Sequence, residues 1–310
     1  MGIGEKMKPS KKHHYLPRHY LRGFTDSKGG FFVYDKHTRR IFPTSPDAAF
    51  FENDLNTVEL PDGNQSDFLE GLYTAIENQS WNSFNTIRNS TFNTSIEPLD
   101  KMNLFSFLLF LHWRLPSNIP MVDKLSSQFF REDNILNYFK LLNKTGSAVP
   151  KEVVERITNS SAFKKSARMI LPFAPFFKDN NWWNNLADWR FVYSGDENNW
   201  FIVGDNPIIT RGENDHDPVN CLKEFIFPVS GKILLISGHS PAGLTLPPEF
   251  IVQYSTGIIE RARRFVACQN RSFLEALLKD YELHVQYAKT DIIVRELFEM
   301  LDAEKGKNGT

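Results

Sequence analysis

The sequence predicts an α+β fold, with a helical central region packed on a mainly antiparallel sheet built from the N-terminal hairpin and C-terminal strands. Three observations lead there. Two β-prone runs flanked by turn residues lie near the start, at 31–35 and 39–42. From about 66 to 170 the apolar residues fall at helical spacing, and Pro98, Pro116 and Pro150 stand at the ends of runs rather than inside them. Beyond about 185 the chain returns to short apolar runs at 189–193, 200–203, 223–228 and 232–237.

Composition sets the bounds. A chain of 310 residues can bury a sizeable core. With 41% hydrophobic and 24% charged residues it is globular, and 27 phenylalanines make the expected core aromatic-rich. The net charge of −1 provides no global field to recruit nucleic acid or an anionic membrane, so anion binding must come from a local patch. Cys221 and Cys268 give no disulfide framework and no metal site by themselves, which makes a reducing cytoplasm the expected location. No secretory signal is read at the N-terminus, and the longest apolar stretch, 104–113, is interrupted by Ser106 and His112 and is too short to cross a membrane. Residues 1–12 read as a disordered basic tail, 13–302 as a single α+β domain without a clean linker, and 303–310 as a second disordered tail.

The elements follow in order. Pro17 suits a first helical turn, and Tyr20, Leu21 and Phe24 keep helical spacing to Gly23, so a short helix is expected over about 17–22 with His13 and His14 leading into it. The runs at 31–35 and 39–42 pair as a hairpin. Ser66 is a plausible N-cap for a helix over 66–88, and Pro98 opens the most apolar helix, 99–115. Helices are also expected over 120–143 and 150–169. After the strands, helices are expected over 250–265, 272–278 and 290–301, with a strand at 281–287. The stretch 195–199 is read as a hairpin turn joining 189–193 to 200–203.

The densest chemistry lies in 11–24, where three of the eight histidines sit with four basic residues and two tyrosines. Histidine suits proton transfer near neutral pH, and arginine presents a planar fork to phosphate or carboxylate. His14 is the expected general acid or base. Arg18, Tyr20, Arg22 and His13 are the expected substrate-binding residues, joined by Asn206 from a later turn. Gly204-Asp205-Asn206-Pro207 follows a strand, and its Asp is either a working carboxylate or half of an Asx turn. His112-Trp113-Arg114 ends the apolar helix. A buried Arg114 needs a partner, for which Glu77 is the candidate, or else it complements a helix C-terminus. The spacing Arg211-x4-His216 matches small helical ribonucleases but lies in a loop, and Asp215, His216 and Asp217 read as a solvated loop rather than metal ligands. Zinc-peptidase, P-loop, α/β-hydrolase and dinucleotide motifs are absent from the sequence.

The run from His14 to Phe24, His-Tyr-Leu-Pro-Arg-His-Tyr-Leu-Arg-Gly-Phe, then Phe32-Val33-Tyr34-Asp35, resembles the N-terminus of the bacterial proteins grouped as domain of unknown function 4238. Leu111-His112-Trp113-Arg114-Leu115-Pro116 is similar to that family's central helix ending in Arg-x-Pro. Gly204-Asp205-Asn206-Pro207 is similar to its Ser/Thr-Asp-Asn-Pro turn, with Gly204 in place of the hydroxyl residue, and Phe225-Ile226-Phe227-Pro228-Val229-Ser230 to its C-terminal sheet. The resemblance spans about 14 to 270. It implies one unit, with His14, Arg114 and Asp205 in one site, and supplies no reaction.

The functional expectation is therefore a cytosolic enzyme acting on a phosphodiester or other anionic substrate, a nuclease-like hydrolase serving as an effector in bacterial conflict with phage. His14, Asp205 and Arg114 form its catalytic set, in which Asp205 either orients a histidine or holds a divalent metal ion, the one cofactor the reading allows. The alternative is a non-catalytic module that recognises a phosphorylated ligand or a phage protein. A third reading makes the N-terminal motif a packed clamp.

Overall fold

The computed structural model describes residues 11–60, 63–91, 94–127, 142, 145–178, 182, 184–194, 201–212, 219–238, 246–287 and 290–307. The chain opens with β1 (Lys12–His14), α1 (Arg18–Leu21) and a 3-10 turn at Arg22–Phe24. The expected hairpin forms as β2 (Phe31–Asp35) and β3 (Arg40–Thr44), followed by β4 (Phe51–Asn53), β5 (Val58–Glu59) and β6 (Gln65–Ser66). The helical region comprises α2 (Phe68–Arg88), α3 (Pro98–Arg114), α4 (Ile119–Ser126), α5 (Lys151–Thr158), α6 (Ser161–Ile170), α7 (Ala174–Lys178) and α8 (Asn184–Ala187). The remainder is β7 (Arg190–Tyr193), β8 (Val203–Gly204), β9 (Ile209–Thr210), β10 (Phe225–Ser230), β11 (Ile233–Ile236), α9 (Pro248–Arg261), β12 (Phe265–Cys268), α10 (Arg271–Gln286) and α11 (Thr290–Lys307). The fold is α+β.

Two four-stranded antiparallel sheets have the orders β7-β11-β10-β9 and β3-β2-β12-β8, and β1-β4 and β5-β6 form two-stranded pairs. The N-terminal hairpin does join C-terminal strands, but only β12 and β8, with Val33 opposite Ala267 and Ala267 opposite Val203. β10 is buried along its whole length, and its alternate residues serve two cores. Phe225, Phe227 and Val229 pack with α2, α3 and the N-terminal motif. Ile226 packs with α9, α10 and α11. The sheets are thus a middle layer between helices on both faces, which is why β10 and β11 read as continuous apolar runs rather than alternating ones.

Several expectations are corrected. β7 and β8 do not form a hairpin: β7 pairs with β11 and β8 with β12, while the expected turn at 195–199 lies outside the described residues. Residues 281–287 are helical in α10 up to Gln286. Tyr281, Leu283, Val285 and Tyr287 alternate like a strand, yet Leu283, Val285 and Tyr287 are exposed, so the alternation marks no buried face. The helix is fixed by Asn270, whose side chain accepts the Phe273 N–H at 3.0 Å. β12 falls just beyond the expected helix 250–265, because its four residues are too few to announce a strand. Most of the expected helix 120–143 lies outside the described residues, as do residues 1–10 and 308–310, while the final helix runs on to Lys307.

The N-terminal motif is seated by Arg88, the last residue of α2. Its Nη1 donates to His19 O at 3.0 Å, its Nη2 to Tyr20 O at 2.8 Å and to Val229 O at 3.1 Å, and its Nε to Val229 O at 3.3 Å. Burial lowers its pKa to about 10, so it stays charged at neutral pH. Gly23 leaves the space for this guanidinium: a Cβ there would stand 2.5 Å from Nη2 and 2.8 Å from Cζ. The glycine is thus required for close approach rather than for a left-handed helix cap. Gly23→Ala is expected to destabilise the fold by about 2–3 kcal/mol in urea unfolding, the scale of displaced charge-assisted hydrogen bonds. In Arg88→Met the same alanine should cost much less, and a strictly additive double-mutant cycle would contradict the clash.

Candidate functional site

β1 carries the histidines into the structure by pairing with β4, His13 opposite Glu52 and His14 opposite Phe51. His13 is fully buried. Its Nδ1 accepts the Asn56 N–H at 2.9 Å, which places the proton of the neutral ring on Nε2. Glu70 Oε1 lies 3.7 Å from His13 Nδ1 and is joined to it through Asn56, whose Nδ2 donates to the carboxylate at 3.2 Å. The half-buried His14 ring packs on Phe51 at 5.6 Å between centroids. Burial, then Arg18 and Arg114, lower its pKa, and the hydrogen-bonded Asp47 backbone pulls the other way.

Arg114 is buried and closes the motif from behind. Its Nη1 meets Glu77 Oε1 at 2.6 Å, its Nη2 donates to the His14 carbonyl, and the guanidinium lies 4.6 Å over the Tyr73 ring. Glu77 is thus the partner that the sequence called for. His14 and Arg114 do meet, but through the histidine's backbone and not its ring. The void beside Arg114 is about 10 Å³, below the size of one water. His19 sits edge-on to Trp81, Phe84 and Phe107, and burial, then Arg88, Arg114 and Arg22, lower its pKa to about 3. Its Nδ1 is 3.9 Å from Glu77 Oε2, too far for a hydrogen bond, so His19 is a neutral core ring.

The expected substrate-binding residues divide by exposure. Tyr20 is 0% exposed, donates its hydroxyl to Pro228 O at 2.9 Å and stacks on Phe227, leaving no surface for a ligand. Arg18 and Arg22 are exposed, and Arg18 faces Asp47 at 3.1 Å. Asn206 is half-buried. Asp205 sits at the corner between α9 and β12. Its Oδ1 accepts the Arg263 N–H at 2.7 Å, and its Oδ2 accepts those of Arg264 at 2.8 Å and Phe265 at 2.9 Å. Burial pushes its pKa up, and these three amides and Lys36 oppose the rise. Both oxygens are therefore engaged in fixing the corner between α9 and β12. Among the described residues no three His, Cys, Asp or Glu side chains cluster as a metal would need.

Three of the distant segments meet at one opening. A cleft of about 100 Å³ is bordered by Tyr15, Pro116 and Asp205, each from a segment that carries the family resemblance. Phe51 and Phe265 form aromatic walls, and Glu52, Arg263, Arg264, His37 and Ser117 complete the lining. Arg264 is held by Asp35 through two bonds of 3.2 and 2.9 Å and stacks 4.5 Å over Phe265. Arg263 meets Glu52 at 3.1 Å in an exposed pair that a ligand can displace cheaply. Burial, then the charges of Asp205 and Glu52, hold the Tyr15 phenol protonated. Sequence reasoning missed Arg263 and Arg264. The signal was the basic run Arg261-Ala262-Arg263-Arg264, hidden by extending a helix across it.

Gly204, where the family resemblance expects a hydroxyl residue, is closely packed: a Cβ would meet Ile258 Cγ2 at 3.1 Å and Ile258 O at 3.3 Å. The deviation therefore accompanies a tight approach of α9 to β8. Arg211, from the rejected ribonuclease-like spacing, is bonded to Asp302 and lies 3.5 Å from Glu224, while residues 213–218 are outside the described set. Cys221 and Cys268 are buried thiols outside any disulfide, and they belong to different cores.

Two outcomes follow. A native His19 that stays neutral while the unfolded chain takes up a proton makes stability fall as pH drops below the ordinary value of 6.5 toward about 3. His14 acts with the same sign. Denaturant midpoints between about pH 7.5 and about pH 5 should show this loss, and His19→Phe should flatten the slope. Asp205→Asn replaces an acceptor by a donor facing the 263–265 amides, and should cost about 2–3 kcal/mol in unfolding free energy.

Searches among curated proteins and among solved structures find no match to this chain. Residues 12–272 match the family described as "Protein of unknown function (DUF4238)", which covers every segment of the motif and both sheets. The chain belongs to the DUF4238 family of proteins of unknown function.

Proposed function

We propose that the cleft bordered by Tyr15, Pro116 and Asp205 recognises a phosphodiester-type ligand that carries an aromatic base. The observation that supports this reading is the convergence of three distant motif segments on one opening, with Arg263 and Arg264 set against the rings of Phe51 and Phe265. Arginines beside aromatic walls suit a phosphate joined to a base, one part held by charge and the other by stacking. A volume of about 100 Å³ has room for several waters, hence for one phosphate or one planar ring. In this reading His14 and Arg114 are positioning residues: His14 supports Phe51 from behind, and Arg114 holds the His14 backbone. Asp205 shapes the loop that carries both arginines.

Hydrolysis of the ligand is the second reading. It is favoured by Glu52 and the exposed His37, which place two proton-transfer groups on the same lining as the arginines. Fluorescence anisotropy with a labelled single-stranded oligonucleotide tests recognition. Arg263→Ala should weaken binding about tenfold or more without lowering thermal stability, because the exposed pair it breaks contributes under about 1 kcal/mol. Unchanged binding would refute the assignment. Cleavage of the oligonucleotide by the wild type that disappears in His37→Ala would establish the hydrolytic reading. Binding without any cleavage would leave recognition as the activity.

A further inference from the structure

A second and larger cleft, of about 440 Å³, opens between α4 and α6. Lys164, Lys165 and Arg168 line it, and among the described lining residues Asp123 is the one carboxylate they face. In a chain of net charge −1 this is a strong local excess of positive charge. Arg168 is only 3% exposed. Its guanidinium donates to Asn56 Oδ1 at 3.2 Å and Leu55 O at 3.1 Å, both neutral acceptors. Among the described residues no ion pair involves any of the three cations. A buried guanidinium without a carboxylate is costly, and cations gathered around it raise that cost. The crowding is felt by Lys165, whose pKa is lowered by burial and then by Arg168, against the opposing charges of Asp54 and Glu59. The ammonium of Lys165 donates to Thr57 O at 2.6 Å, while that of Lys164 makes no hydrogen bond to a described residue.

We propose that the α4–α6 cleft is a binding site for a phosphoryl group, held by Lys164, Lys165 and Arg168. Asn159 and Ser161, also on the lining, add neutral donors, and the amino end of α6 adds a favourable dipole. Leu55 and Val122 supply an apolar floor, and among the described residues no aromatic ring lines the cleft, so none of them offers a base a stacking face. This separates it chemically from the cleft at Tyr15, and the proposal does not depend on the function assigned there. The two clefts are neighbours: Glu52 and Ser117 border one, Leu55 and Ile119 the other. The phosphoryl group can belong to a free phosphate compound or to the end of a nucleic-acid strand.

Isothermal titration calorimetry distinguishes these sources with two probes, inorganic pyrophosphate and a 5′-phosphorylated trinucleotide compared with its dephosphorylated form. Wild type should bind pyrophosphate, and Lys164→Gln/Lys165→Gln should weaken it about tenfold or more, as expected for two lost charge-assisted contacts. Lys164→Gln alone, which breaks no hydrogen bond to a described residue, should weaken it about threefold at unchanged thermal stability. Trinucleotide binding that needs both its terminal phosphate and the lysines assigns the group to a strand end. Pyrophosphate binding without such a preference assigns it to a free phosphate compound. The proposal is overturned if wild type shows no pyrophosphate binding up to about 10 mM, if the lysine variants bind like wild type, or if the loss follows Arg263→Ala instead.

Discussion

A guanidinium cannot shed its charge on burial, so every arginine taken into the core must find oxygens for its N–H groups. Three do so here, and they organise the first quarter of the chain. Arg88 from α2 donates to the carbonyls of His19 and Tyr20, Arg114 from α3 to that of His14, and Arg168 from α6 to that of Leu55. One helix after another sends a fork into the short strands and turns between residues 12 and 57. Those segments are too brief to satisfy their own backbones, and the arginines complete the hydrogen bonding that a longer sheet would supply.

The corner between α9 and β12 solves the opposite problem with single charges. Asp205 gathers three amides of the loop, and Lys36 donates to the carbonyls of Ile259, Glu260 and Ala262 at the end of α9. The loop is thereby held rigid while the Arg263 and Arg264 side chains remain at the cleft. Rigidity of the support and exposure of the charged tips are what a recognition surface needs. The same division runs through the N-terminal motif, where Tyr20 and His19 are core, Tyr15 borders the cleft, and Arg18 and Arg22 are exposed.

Much of this was legible in the sequence. Helical spacing and terminal prolines placed α2 and α3, and the hairpin at β2 and β3 was plain from its turn. The need of a buried Arg114 for a carboxylate pointed to Glu77. What could not be read was depth. The composition of 11–24 marks a site and a clamp alike, because histidine and arginine serve both, and only the fold shows that Arg114 spends its donors on Glu77 and a carbonyl. Sheet membership was equally hidden, since β12 and β8 are so short that their pairing is decided by tertiary contacts. Lys164 and Lys165 stand on an expected helix, where no motif sets them apart from an ordinary polar face.

The bonds that seat the N-terminal motif span great lengths of chain. Arg88 reaches Val229 across 141 positions, and Tyr20 reaches Pro228 across 208. During synthesis at roughly 5–20 residues per second, the motif emerges on the order of ten seconds before β10 exists to receive it. For that interval its aromatic and basic side chains lie open, and helix α2 waits with its terminal guanidinium half satisfied. A segment made well before its partners is thus among the last to be buried, and a chain truncated before β10 could not close over it.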